Sequence, residues 1–84
     1  MYNIEVKMNI ETSTKQQFIL LGKHLKALRI ERNISLSELS DLTGIRESYL
    51  QKIEEGSAYR VSISKHLQKI AKVFNIELYK LFDF

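Results

Sequence analysis

Eighty-four residues, 44% of them hydrophobic and 27% charged, give room for one ordinary globular domain. Cysteine is absent, which excludes disulfides and thiolate metal sites. The net charge of +3 permits a nucleic-acid partner without demanding one. His24 and His66 lack companions at metal-ligand spacing, so no metal and no cofactor are expected. The longest apolar run, residues 18–21, is far too short for a bilayer, and no signal peptide opens the chain. No membrane association and a cytoplasmic location are therefore expected. Proline is missing and only three glycines occur, which favours a helical bundle with tight connections.

Residues 1–12 read as an N-terminal extension and residues 13–84 as the folded domain. In the extension Tyr2, Ile4, Val6, Met8 and Ile10 alternate with Asn3, Glu5, Lys7, Asn9 and Glu11. Period two predicts a short β-strand with one apolar face. A lone strand needs a mate, and the same strand of a second copy would supply it and make a homodimer. The alternative is a frayed terminus.

Ser13 with Gln16 has capping-box spacing, and Phe18, Leu21, Leu25 and Leu28 then recur at helical intervals to about Arg32. Asn33 is a suitable left-handed stop. Ser35 caps a short second helix carrying Leu36, Leu39 and Leu42 and ending at Gly44. A third helix runs from about Glu47 to Glu55, with Leu50 and Ile53 inward, and stops at Gly56. Ser62 or Ser64 opens a fourth, with Leu67, Ile70, Ala71 and Phe74 inward, and Asn75 closes it. Residues 76–82 form a last turn or short helix whose Leu78, Leu81 and Phe82 can close the core.

Only residues 43–46 separate the second and third helices. So short a break forces a steep crossing, and Gly44 supplies the permissive backbone. Such a pair either serves as mere packing or has a function, in which the first helix braces on phosphates and the second projects at the diameter of the major groove.

Residues 21–82 resemble the phage-repressor and Cro type of helix-turn-helix, the XRE-like family. The likeness rests on LGKHLKALR at 21–29, SLSELSDLTGI at 35–45, SYLQKIEEG at 48–56, KIAKVFNI at 69–76 and LYKLF at 78–82. It implies an all-α, five-helix repressor-like fold, here with the N-terminal strand added. It also implies sequence-specific binding of double-stranded DNA by a transcriptional regulator, usually as a dimer.

The resemblance places base contacts at Arg46, Glu47, Ser48 and Lys52. Arg46 can fork onto guanine, Lys52 can reach guanine or phosphate, Ser48 can donate or accept, and Glu47 can accept from cytosine N4. Glu47 has an equal alternative as a helix-dipole residue. Ser35, Ser37, Tyr49, Ser57, Tyr59 and Arg60 are the expected DNA-backbone contacts, with Tyr49 alternatively resting on the second helix. Arg29 and Glu54 stand where the family often has a buried ion pair. Glu55 occupies a place where a neutral or basic residue often faces phosphate, so modest repulsion of DNA is expected. Lys65, Lys69 and Lys72 read as a solvated face of the fourth helix.

The rival function is a protein-interaction module, such as an antitoxin or co-regulator, whose helices, strand or C-terminal apolar end bind another protein; the strand Tyr2–Ile10, with an edge open to augmentation, motivates it. An enzyme is not expected: there is no cysteine nucleophile and no glycine-rich phosphate loop. A homodimer would form through Ile4, Val6, Met8 and Ile10 or through the C-terminal apolar residues.

Overall fold

The computed structural model describes the backbone of residues 2–58 and 63–84, and side chains from Lys15 onward outside that gap. Among the described residues four α-helices follow in chain order: α1 (Tyr2–Glu31), α2 (Leu36–Thr43), α3 (Glu47–Glu54) and α4 (Ile63–Phe74). A 3-10 helix (Leu78–Phe82) ends the chain.

The all-helical class agrees with expectation; two of its details do not. No strand occurs among the described residues, and the segment that carries the period-two pattern is the first part of α1. A strand must find its backbone partners on another strand, whereas a helix satisfies them within itself. With no other strand among the described residues, and no proline or glycine before residue 22, the helical solution wins. The Ser13–Gln16 box is therefore interior to α1, not its start. A fifth α-helix is also absent among the described residues. Its place is taken by five residues bonded at three-residue spacing, with Lys80 N–H donating to Glu77 and Asp83 N–H to Lys80. A segment this short closes in the tighter geometry.

The stops behave as the side chains dictate. Asn33 and Asn75 adopt φ of 55° and 56°, the left-handed conformation that asparagine tolerates better than most residues. Gly44 caps α2 with φ of 75°. At the other end of α2, Ser35 Oγ accepts from Glu38 N–H, and Glu38 Oε1 accepts from Ser35 N–H. This reciprocal box satisfies two amide donors that the helix itself cannot.

One core joins all five elements. Leu21 and Leu25 come from α1, Leu39 from α2, Leu50 and Ile53 from α3, and Leu67, Ile70, Ala71 and Phe74 from α4. Ile45 in the turn, Ala58 beyond α3 and Leu81 in the 3-10 helix complete it. Leu81 is wholly buried, so the C-terminal turn is part of the core and not an appendage. His24 Nε2 donates to the Lys80 carbonyl at 3.1 Å, tying that turn to α1.

The α1–α3 crossing is close because glycine stands on each side of it. A Cβ on Gly22 would lie 2.7 Å from the Glu54 carbonyl carbon and collide with the carbonyl oxygens of Ile53 and Glu54. One on Gly56 would lie 2.6 Å from Ile19 Cα. These two positions let backbone meet backbone and fix where the end of α3 sits on α1.

Candidate nucleic-acid interface

The turn between α2 and α3 is organised by hydroxyls of α2. Ser40 Oγ donates to the Ile45 carbonyl at 2.6 Å. Thr43 Oγ1 donates to the Leu39 carbonyl at 2.7 Å and accepts from Ile45 N–H at 3.2 Å. Gly44 N–H donates back to Ser40. Ile45, buried, pins the turn to the core. The turn is thus held by polar groups at its edge and by an apolar anchor within it.

The far end of α3 is held by charge. Arg29 Nε donates to Glu54 Oε2 at 2.7 Å, and Nη2 donates to Oε1 at 3.1 Å, a two-pronged pair. The third nitrogen, Nη1, donates to the Ile34 carbonyl at 2.8 Å. One guanidinium therefore links α1, the loop before α2, and α3. Both side chains are about nine-tenths buried. The hydrogen bonds to Glu54 raise the Arg29 pKa, burial opposes them, and the charge of Glu54 adds to the rise.

Between these two fixtures α3 buries Leu50 and Ile53 and leaves Glu47, Ser48, Gln51, Lys52 and Glu55 exposed. Arg46 is the N-cap residue of α3, exposed, with no side-chain capping bond. Arg46, Ser48 and Lys52 line one concavity together with Tyr49, Ser57 and Ala58. Glu47 stands beside them in the first turn of α3.

Tyr49 is half-buried. Its ring tilts against His66 of α4, with centroids 4.9 Å apart. Its hydroxyl is covered and has no hydrogen-bond partner among the described residues. Ser57 is exposed, but its N–H and its Oγ both donate to the Lys52 carbonyl, at 2.9 and 3.2 Å. It extends the end of α3 instead of standing free.

At the N-terminus of α2, Ser35 and Ser37 are exposed. Glu38 brings a carboxylate to the same helix end, so an approaching phosphate meets a negative charge there. Tyr59 and Arg60 lie outside the described residues, as does Ser62. Lys65, Lys69 and Lys72 are exposed on α4.

Gln51 was not among the contacts suggested by resemblance. It is exposed in the middle of α3, and its Nε2 donates to Glu55 Oε2 at 3.2 Å. The signal was the four-residue spacing of a glutamine and a carboxylate on one helix face.

Two short helices joined by a hydrogen-bonded three-residue turn, the second presenting a polar face, define a helix-turn-helix protein. The chain belongs to the helix-turn-helix family, of the XRE-like type, matching it over residues 25–81. Among its relatives is the HTH-type transcriptional regulator SinR of Bacillus subtilis (strain 168), 34% identical over 64 residues. SinR of Bacillus licheniformis is 33% identical over 64 residues. The HTH-type transcriptional regulator SlrR of Bacillus subtilis (strain 168) is 31% identical over 64 residues. Each match covers 76% of this chain, but 57% of either SinR and 41% of SlrR. Among the described residues no helix is long and apolar enough to cross a membrane.

Proposed function

We propose that this protein binds double-stranded DNA with sequence specificity and regulates transcription, with α3 as the reading helix. The observation that carries the proposal is the convergence of Arg46, Ser48 and Lys52 on one concavity of an α3 held at both ends. Family membership supports it, as do relatives named as transcriptional regulators. Residues 13–84 make up the binding domain in this reading.

Arg46 extends from the helix start, where it can fork onto guanine O6 and N7. Ser48 adds a donor and acceptor to the same surface. Lys52, one turn on, takes guanine or phosphate. Glu47 accepts from cytosine N4 or stays as a helix-dipole residue. Ser35, Ser37 and Ser57, exposed, and Tyr49 through its ring are the backbone contacts in this reading; Tyr59 and Arg60, proposed with them, lie outside the described residues. The strand edge that motivated the interaction-module reading is helical, and the family and relatives do not favour that reading.

Selection from a random duplex pool should yield a defined site, and a salt titration then separates the roles. Arg46→Ala should cost about 1–3 kcal/mol on the selected site and relax one base position. Lys52→Ala should flatten the salt dependence by about one unit of slope if it holds a phosphate. Variants that bind as tightly as the parent, with the same slope, would sink the proposal.

A homodimer belongs to the same reading, formed through the C-terminal face. Tyr79, Phe82 and Phe84 are at least half exposed, and Phe82 borders an apolar groove with Gln17, Phe18 and Leu21 of α1. Exposed aromatic side chains beside an apolar groove favour association over solvation. Light scattering should find a dimer for the parent and a monomer for Phe82→Glu. A monomeric parent, or a dimeric variant, rules this interface out.

A further inference from the structure

On the exposed face of α3, Gln51 lies one turn beyond Glu47 and one turn before Glu55, beside Lys52. Its orientation is chemically determined. An ionised carboxylate can only accept hydrogen bonds, so the amide nitrogen of Gln51 and not its oxygen must face Glu55. The amide nitrogen carries two hydrogens, and Glu55 takes one. When Glu55 takes the hydrogen trans to the carbonyl oxygen, what remains for an outside partner is the other N–H and that oxygen, side by side on one plane. That donor–acceptor pair complements the N7 acceptor and N6 donor on the major-groove edge of adenine.

We propose that Gln51 reads an adenine, and that Glu55 is the positioning residue that fixes which end of the carboxamide is presented. The inference rests on the DNA-binding reading above. It gives Glu55 a role that charge alone does not suggest. Its negative charge opposes phosphate and lowers affinity, while its hydrogen bond stops the amide from turning over. A carboxamide free to turn presents donor and acceptor in either order and discriminates less.

The test is position-by-position base preference, from selection in a random duplex pool, for the parent, Gln51→Ala, Glu55→Ala and Glu55→Gln. Both side chains are exposed, so these variants keep the fold. The parent should prefer adenine at one position of its site. Gln51→Ala should lose that preference by about tenfold or more and leave other positions unchanged. Glu55→Ala should bind as tightly as the parent or more tightly, yet weaken the same adenine preference. Glu55→Gln, whose carbonyl still accepts from Gln51, should restore part of it.

A Gln51→Ala profile equal to the parent's, or a loss spread evenly over all sequences, overturns base reading by Gln51. A Glu55→Ala profile identical to the parent's overturns the positioning role. If the parent selects no sequence at all, the DNA-binding reading fails and this inference with it. If the parent selects a sequence that Gln51→Ala selects equally, only the inference fails.

Discussion

Gly22→Ala is expected to destabilise the protein, and the sign is the informative part. At a solvent-facing helix position the same change gains about 1 kcal/mol, because alanine is the better helix former. Here the new methyl group collides with the carbonyl groups of Ile53 and Glu54. These are backbone atoms at the end of α3, and no side-chain rotation relieves them. Either α1 bends away or α3 shifts, and overpacking of this kind costs about 1–3 kcal/mol. Gly22→Val should reach or exceed the upper end, a large share of the roughly 5–15 kcal/mol that stabilises a small domain. For a domain of this size, 3 kcal/mol lowers Tm by roughly 12–24 °C. Thermal unfolding followed by circular dichroism decides the matter. An alanine variant with a raised Tm would show that α1 and α3 do not meet as described.

The second large effect belongs to Arg29. Arg29→Met leaves the Glu54 carboxylate about nine-tenths buried without its cation, and leaves the Ile34 carbonyl without its donor. Loss of one partner of a buried pair costs about 3–5 kcal/mol. The cost lies mainly in the charge left behind, because desolvation offsets most of the attraction within the intact pair. The double variant Arg29→Met with Glu54→Leu should therefore regain much of the lost stability. Denaturant midpoints of the single and double variants make the comparison. Equal loss in both would mean that stranded charge is not the cause.

The sign of the pH effect also follows. The folded-state pKa of Arg29 is raised, so its contribution is fully present below the ordinary arginine value and fades only as pH climbs through the raised one. Across neutral pH this guanidinium adds no slope to stability.

Local chemistry was legible where it is local. The box of Ser35 with Glu38, the left-handed stops at Asn33 and Asn75, and the cap at Gly44 depend on neighbours within a few residues. The inward faces of α3 and α4 follow from apolar spacing alone. Long-range meetings were not legible in that way. Arg29 and Glu54 are 25 positions apart, and only resemblance pairs them; the distance of 2.7 Å is a property of the fold. Gly22 reads as a weak helix residue until the carbonyls of α3 are seen against it.

The first segment misleads for a different reason. Alternation at Tyr2, Ile4, Val6, Met8 and Ile10 describes how side chains would divide about a strand, but says nothing of whether a second strand exists. Tyr49 is intermediate. Its place on α3 is plain from the sequence, while its packing on His66 needs α4 to come alongside.

The hydroxyls of Ser40 and Thr43 have one more consequence. Together they occupy both the N–H and the carbonyl of Ile45, using donors and acceptors already rigid within α2. The corner between the helices is therefore assembled when the chain folds, and its conformational entropy is surrendered then. A ligand meeting this surface need not order the corner, so more of its contact energy survives as affinity. The same stiffness limits tolerance. A ligand whose spacing differs from that of the prepared surface cannot be accommodated by flexing Thr43 to Ile45, and is refused on shape before any hydrogen bond is tested.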